Sequence, residues 1–405
     1  MKPDPNCNTS RRRFLRTSVG IPATVTALAA GTGTAAAAPA KAKPRLPARK
    51  LGRNGPEVTM LNLGGMMAAH SPQYLDLAWN NGIRYFDTAD CYIKGKSEQN
   101  IAKWLQRYPE RRKELFLVDK DHPTKGPKQM LEQIDTRLKA CGTDYFDLFF
   151  VHGLGSGYKG AVDWPKSDEF KAVCGQLKAS GKARMVGFSC HDRQLIQIMH
   201  AAAEGGFVDA IMVKYNPFHE KGGAFDKAMD ACHKAGIGIV AMKEMRPFAK
   251  APKKNPAFDK LGITTHQAVL QAVWSDPRIS SICSAMENVG QIEENCGAAM
   301  AYKAALPREQ MNALQEVAML QPAPMCPGCP GCEKWAGRTE FAFQDISRYV
   351  TYYEQDGSDE AAGFYRELAA SQRTWDGVDL DAIRDECQYH VDYGQIAMRA
   401  ERYFA

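Results

Sequence analysis

Four ionisable side chains stand at the ends of three consecutive strand-like runs of the sequence. Asp87 and Tyr92 lie where the first apolar run breaks into a loop, Lys120 ends the second run and His152 ends the third. Parallel strands that close into a barrel bring such ends together at one mouth, where proteins of this architecture keep their chemistry. Together the four groups could polarise a carbonyl and protonate its oxygen.

The order Asp, Tyr, Lys, His at these spacings resembles the aldo-keto reductase superfamily. The resemblance implies that Tyr92 is the general acid, that Lys120 and Asp87 adjust its acidity, and that His152 orients the substrate carbonyl. A free phenol titrates near about 10, so a nearby cation is expected to make Tyr92 a better proton donor at neutral pH. Asp87 would hold the Lys120 ammonium in its charged form.

Alternating strand and helix patterns predict an α/β fold, a (β/α)8 TIM barrel over residues 50–306 with a C-terminal, mainly helical, cysteine-rich extension over residues 307–405. Asn54-Gly55 predicts a hairpin over Lys50–Leu61 that covers the barrel bottom. The predicted strands are Met60–Gly64, Tyr85–Thr88, Leu115–Lys120, Tyr145–His152, Met185–Ser189, Ala210–Lys214, Gly238–Met242 and Ser281–Ala285. The clearest predicted outer helices are Gln129–Ala140, Ser167–Ser180, Leu195–Glu204 and Thr265–Ser275.

The resemblance also implies a nicotinamide cofactor, NADP or NAD, because hydride transfer needs one. Ser189 matches the family position that holds the nicotinamide amide, and Glu294 and Asn295 match the segment that grips the adenosine end. Lys243, with Arg246, is a candidate for binding a 2′-phosphate. The alternative hypothesis, that Ser189 and Asn295 only cap loops, remains open.

Several positions depart from the family pattern. Cys190 replaces an Asn, Met212 a Gln and Met242 a Tyr at positions that bind the nicotinamide in many members. Ala285 and Gln291 stand where NADP-specific members place cations. A phosphate without a cation loses charge-assisted hydrogen bonds. The sequence therefore does not choose between NAD and NADP.

The extension contains three thiols at the spacing that opens a bacterial iron-sulfur motif: Cys326, Cys329 and Cys332. The motif would continue with Cys-Pro, but Ala336-Gly337 stand there. Some aldo-keto reductases carry a ferredoxin-like tail, and the resemblance implies that Cys387 is a fourth ligand to a 4Fe-4S cluster. Zinc is the alternative metal, with His390 able to replace Cys387. Two further alternatives remain open. The extension could hold no metal, or its cysteines could form disulfides in an exported protein.

The first forty residues resemble a twin-arginine signal peptide. Ser10-Arg11-Arg12-Arg13-Phe14-Leu15 precedes an uncharged Ala-rich, Gly-rich and Thr-rich stretch that ends at Ala40, where we expect cleavage. This stretch is too weakly hydrophobic to predict a stable membrane span. We therefore expect an exported, periplasmic protein that folds before transport.

The formal charge is +6, and residues 1–40 carry +4 of it, so the mature protein is close to neutral. Such a balance, without a basic stripe, does not favour nucleic acid or a membrane surface as a partner. The sequence predicts an exported oxidoreductase that transfers a hydride between the cofactor and a small carbonyl or alcohol substrate, with an electron-transfer partner for the extension. The alternative is a barrel without redox turnover that serves as a binding or structural module.

Overall fold

Eight parallel strands close into a barrel, as the alternating pattern predicts. The computed structural model describes residues 45–404 except 67–70, 249–250, 321–324, 327, 329–330, 339, 358 and 388. The predicted signal segment and Cys329 lie outside the described residues. No helix in the described part of the chain combines the length and the apolar character that crossing a membrane requires.

The barrel strands follow one another in space as they do in sequence, and the last pairs with the first. Two short strands, β1 (Ala48–Lys50) and β2 (Glu57–Thr59), pair antiparallel as a hairpin before the barrel begins. The barrel strands are β3 (Leu61–Gly64), β4 (Tyr85–Asp87), β5 (Phe116–Asp121), β6 (Phe146–Val151), β7 (Ala183–Cys190), β8 (Ala210–Lys214), β9 (Gly238–Met242) and β10 (Ile279–Ser284). All eight predicted barrel strands are confirmed, with ends displaced by at most two residues.

Helices connect the strands and form the outer layer. In chain order these are α1 (Pro72–Asn80), α2 (Lys96–Arg107), α3 (Gln129–Cys141), α4 (Asp168–Ala179), α5 (Leu195–Gly205), α6 (Ala224–Ala235), α7 (Pro256–Asp259), α8 (Thr265–Trp274) and α9 (Val289–Ala301). Their apolar faces and the outward faces of the strands form the main core, in which Trp79, Trp104 and Trp274 are the largest buried side chains. This burial of apolar area is the main force that holds the outer layer on the barrel.

The hairpin closes the end of the barrel where the strands begin. Leu51, fully buried, packs among the inward side chains of the barrel, including Tyr85 and Phe116. Arg53 donates its backbone N–H to the carbonyl of Gly236, 2.8 Å away. With that end closed, the opposite end is the one from which a ligand can enter.

The extension is helical, as predicted, and has its own apolar core. Its helices are α10 (Arg308–Leu320), α11 (Glu333–Ala336), α12 (Phe343–Asp356), α13 (Asp359–Glu367), α14 (Ala370–Arg373), α15 (Leu380–Glu386) and α16 (Tyr393–Phe404). Ile346 of α12 and Tyr393 of α16 are buried in this core, and Cys326 belongs to it. Residues Lys43–Ala405 nevertheless form one compact unit, so the extension and barrel are parts of the same body.

Candidate active site

The four predicted catalytic side chains lie together at the open end of the barrel. Asp87 ends β4, Tyr92 lies in the loop after it, Lys120 lies near the end of β5, and His152 directly follows β6. Because β4, β5 and β6 are neighbours in the barrel, their ends are adjacent. The structure therefore brings all four residues to one place.

A buried ion pair lies at the bottom of this site. Lys120 and Asp87 each expose about 1% of their side-chain surface, and Lys120 Nζ lies 2.5 Å from Asp87 Oδ1. The same ammonium donates to the carbonyl oxygen of Thr88 at 2.7 Å. Burial raises the pKa of Asp87, and the charge and hydrogen bond of Lys120 oppose that rise. Each charge is tolerable in the barrel interior because the other is present.

Tyr92 lies against both the ion pair and the histidine. Lys120 Nζ lies 4.8 Å from the centre of the Tyr92 ring, and the His152 ring meets the Tyr92 ring edge-on at 5.5 Å between centroids. Burial raises the pKa of Tyr92 well above its usual value, and the negative charge of Asp87 raises it further. The sequence interpretation expected Lys120 to lower it. The structure differs because burial, the largest effect, and the Asp87 charge both raise the pKa of Tyr92, so Tyr92 holds its proton.

The backbone turns sharply after Tyr92. Ile93 and Lys94 have positive φ angles of 53° and 56°, and Gly95 follows with 78°. A β-branched residue such as isoleucine rarely adopts this left-handed conformation. Such outliers cluster at sites where the surrounding structure fixes a functional side chain. Here the turn returns the chain to α2, which begins at Lys96.

His152 is surrounded by further polar groups. Its Nδ1 atom lies 3.8 Å from Asp90 Oδ1 and 3.8 Å from Cys91 Sγ, and its ring centroid is 4.4 Å from that of His122. Burial lowers the pKa of His152 to about 3, and the charge of His122 lowers it as well. His152 is therefore neutral at physiological pH, and its role depends on which ring nitrogen carries the proton.

The residues predicted to hold the cofactor are not all in one place. Ser189 is buried and accepts a hydrogen bond from the backbone N–H of Gly153 at 2.9 Å. Glu294 accepts one from the Thr264 hydroxyl at 2.5 Å, and Asn295 donates to Ser284 at 3.2 Å. These three side chains thus have structural partners within the protein. Lys243, by contrast, lines a cavity between the barrel mouth and the extension.

A cavity of about 590 Å³ lies between the ends of β7–β9 and the extension. Its lining includes seven basic side chains, His191, Arg193, Lys214, His219, Lys243, Arg246 and Arg348, and three carboxylates, Asp192, Glu220 and Asp345. Burial lowers the pKa of Lys243 well below its usual value, and the neighbouring cations add to this effect. Among the described residues, Arg348 has a carboxylate partner, Asp345, at 2.9 Å. Basic groups outnumber carboxylates in this lining, which favours an anionic ligand because its charge would stabilise the protonated lysines.

Helix α12 of the extension forms one wall of this cavity. Gln344 and Arg348 donate hydrogen bonds to the backbone oxygen of His191 at 2.8 Å and 3.1 Å. The Tyr352 hydroxyl accepts hydrogen bonds from Lys243 and from Arg246, the latter at 3.2 Å. An ionised Tyr352 would also raise the pKa of Tyr92, so this helix lies within electrostatic range of the catalytic mouth.

The described cysteines of the predicted cluster site converge on one buried side chain. The Tyr393 hydroxyl has no oxygen or nitrogen partner among the described residues, and burial raises its pKa, followed by the effects of Cys326, Cys332 and Cys387. Backbone N–H groups donate to two of these sulfurs, from Gly328 to Cys326 at 3.3 Å and from Val391 to Cys387 at 3.4 Å. Cys329 lies outside the described residues.

Sequence reasoning missed two groups of residues at the mouth. Asp90, Cys91 and His122 adjoin the predicted catalytic set and stand within two positions of Tyr92 or Lys120. This proximity in sequence could have identified them. Arg348 and Tyr352 had no such signal, because they reach the barrel only through the fold of the extension.

The fold agrees with comparisons to known proteins. Residues 59–249 match the profile described as "Aldo/keto reductase family". Aldo-keto reductase yakc, an NADP(+) protein of Schizosaccharomyces pombe, is 27% identical over 234 residues, which are 52% of this chain and 65% of that protein. L-galactose dehydrogenase of Arabidopsis thaliana is 23% identical over 313 residues, 69% of this chain and 95% of that protein.

Solved structures show the same fold. An aldo/keto reductase from Klebsiella pneumoniae, in complex with NADP and acetate, has a TM-score of 0.52 and 21% identity, covering 67% of this chain and 96% of that one. The holo form of an aldo-keto reductase from Bacillus halodurans has a TM-score of 0.53 and 20% identity, covering 67% and 96%. At these identities the likeness establishes the barrel fold alone.

The buried ion pair leads to a prediction about stability. We expect Asp87→Asn to lower the free energy of unfolding by about 3–5 kcal/mol, because it leaves the Lys120 ammonium without its buried counter-charge. The matched control is Asp135→Asn, which breaks the exposed pair with Lys182, 2.7 Å apart. That change should cost at most about 1 kcal/mol. Denaturant unfolding followed by circular dichroism measures both, and equal losses would contradict the prediction.

Proposed function

We propose that this protein, whose residues 59–249 match the aldo/keto reductase profile, interconverts a small carbonyl compound and its alcohol with NADP or NAD. The observation that carries the proposal is the position of Tyr92, between the Lys120–Asp87 pair and His152. A proton donor, a cation and a neutral histidine then face one open barrel mouth. This set matches what protonation of a carbonyl oxygen requires.

Each side chain has a distinct part in the reduction. A reduced nicotinamide cofactor, held by Lys243 and Arg246, would supply the hydride for the carbonyl carbon. Tyr92 gives its phenolic proton to the carbonyl oxygen, which becomes the alcohol hydroxyl. The Lys120 ammonium stabilises the phenolate that remains, and Asp87 keeps that ammonium charged. Neutral His152 orients the carbonyl with a ring N–H, and solvent returns the proton to Tyr92.

The basic cavity supports a dinucleotide as the cofactor. Lys214, Lys243 and Arg246 are partly buried, with no carboxylate in salt-bridge contact among the described residues. The cavity volume of about 590 Å³ lies in the range of ligand sites. The phosphates of a dinucleotide would supply the missing negative charge. Lys243 and Arg246 would hold them, with Ser189, Glu294 and Asn295 as the further residues implied by the resemblance.

Replacing the proton donor tests the proposed reaction. We expect Tyr92→Phe to lower turnover of an aldehyde by about 10²–10⁴-fold, because the change removes the acid and keeps the ring. Nucleotide binding, measured by fluorescence titration, should be unchanged. Tyr145→Phe is the matched control, since Tyr145 directly precedes β6 at the closed end of the barrel.

Other results would separate the alternatives. Equal turnover in wild type and Tyr92→Phe would remove Tyr92 from the mechanism. If neither protein turned over any aldehyde and neither bound a nucleotide, the barrel would be a binding or structural module.

We further propose that the extension holds a 4Fe-4S cluster through Cys326, Cys329, Cys332 and Cys387. The three described thiols surround a buried phenol, and backbone N–H groups donate to two of the sulfurs, as is common around iron-sulfur clusters. Zinc is the alternative, because four thiolates also form a closed tetrahedral zinc site.

Metal analysis of anaerobically purified protein tests this site. We expect iron and acid-labile sulfide near about four per chain, with visible absorption, as a 4Fe-4S cluster requires. Cys332→Ser should lose most of this iron, whereas Cys174→Ser, a buried thiol of α4, should retain it. Stoichiometric zinc without colour would replace the cluster with a structural zinc site, and the absence of both metals would refute the proposal.

Export by the twin-arginine route completes the proposed function. The supporting feature is the Arg11-Arg12 pair ahead of an uncharged segment. We expect replacement of both arginines by lysine to keep the protein in the cytosol, because the transport machinery reads the arginine pair and not its charge. Cell fractionation measures this, with replacement of Arg45 and Arg49 by lysine as the control. Undiminished export would indicate an ordinary secretory signal.

A further inference from the structure

Four side chains with metal-binding atoms meet at the barrel mouth beside Tyr92. Asp90, Cys91, His122 and His152 each offer one atom, and these atoms all lie within 4.8 Å of one another. His122 Nδ1 lies 3.1 Å from either oxygen of Asp90. His152 Nδ1 lies 3.8 Å from Asp90 Oδ1 and 3.8 Å from Cys91 Sγ. The group therefore surrounds one small volume.

Three adjacent loops supply these donors, and backbone hydrogen bonds fix the loops. The N–H of Asp90 donates to the carbonyl of Lys120 at 3.1 Å, and the N–H of His152 donates to that of Asp121 at 2.8 Å. The Tyr158 hydroxyl donates to the carbonyl of His152 at 2.6 Å. The donors are thus held by the ends of β4, β5 and β6, and a rigid framework of this kind favours a defined coordination geometry.

The spacing of the donor atoms fits a single ion. Bonds of about 2.0–2.3 Å from a tetrahedral zinc ion place its ligand atoms roughly 3.3–3.8 Å apart. The measured separations of 3.1 Å and 3.8 Å lie at or near this range. Two imidazoles with a thiolate and a carboxylate suit zinc and its neighbours in the first transition row, whereas magnesium and calcium prefer oxygen ligands alone.

We propose that Asp90, Cys91, His122 and His152 bind one zinc-type divalent ion at the mouth of the barrel. Cys91 loses its thiol proton when the ion binds. Two neutral imidazoles, one carboxylate and one thiolate then coordinate the ion. Metal on Nδ1 of His152 leaves the ring proton on Nε2. The ion would then fix the tautomer in which His152 can donate a hydrogen bond from Nε2.

This site is separate from the cysteine cluster of the extension and does not depend on carbonyl turnover. Its test therefore uses binding alone. The full-length mature protein is freed of loosely bound metal with a chelator, and Co²⁺ is titrated in as a spectroscopic substitute for zinc. We expect one equivalent with tetrahedral visible bands and a sulfur-to-cobalt charge-transfer band. Competition with a chromophoric chelator then gives the zinc affinity.

Variants assign the ion to these residues. Cys91→Ser should abolish the charge-transfer band, and His122→Ala should weaken zinc binding by more than about 100-fold. Cys283→Ser is the matched control, because Cys283 is also a partly buried barrel thiol but lies outside the group. Cys332→Ser controls for the extension, and both controls should retain the band.

Circular dichroism of each variant establishes that it is folded. The proposal fails if wild type binds no tight equivalent of Co²⁺ or Zn²⁺. It also fails if folded Cys91→Ser and His122→Ala bind as wild type does. Loss of the band in Cys332→Ser, with retention in Cys91→Ser, would assign the bound metal to the extension and overturn the proposal.

Discussion

The buried pair between Lys120 and Asp87 is the interaction on which the rest of the mouth depends. An ammonium and a carboxylate that are each about 1% exposed must compensate each other, because burial removes both from bulk solvent. Their contact joins β4 to β5 at the level where the loops begin. Tyr92, Asp90 and Cys91 follow directly from that point of the chain, so the pair fixes the base from which the catalytic loop leaves the barrel.

Much of this arrangement follows from local sequence. The alternation of strand and helix patterns predicts the eight-strand barrel. The barrel topology places Asp87, Lys120 and His152 at one end. The predicted hairpin forms over Ala48–Thr59, but six residues (51–56) connect its strands, and the positive φ angle falls at Gly52 and not at Asn54-Gly55. These features are predictable because each depends on neighbours in the chain or on the fixed rules of a parallel barrel.

What could not be predicted depends on distant contacts. Arg348 reaches His191 across more than 150 residues, and Tyr352 reaches Lys243 and Arg246. No periodicity encodes such contacts, because they depend on how two separately formed cores dock. The sign of the Tyr92 pKa shift was missed for a related reason. The sequence indicates that a lysine is near but does not give the balance between its charge, its counter-ion and burial.

The catalytic residues and the proposed metal-binding residues lie in two layers at the ends of the same three strands. Strand β4 leads from Asp87 to Asp90 and Cys91, strand β5 leads from Lys120 to His122, and His152 belongs to both layers. The inner pair is sealed at about 1% exposure, whereas the side chains of Asp90, His122 and His152 are 21%, 16% and 13% exposed. An ion could therefore enter and leave the outer layer without opening the inner one. Because His152 bridges the layers, a change in the outer layer acts on the substrate side through one imidazole ring.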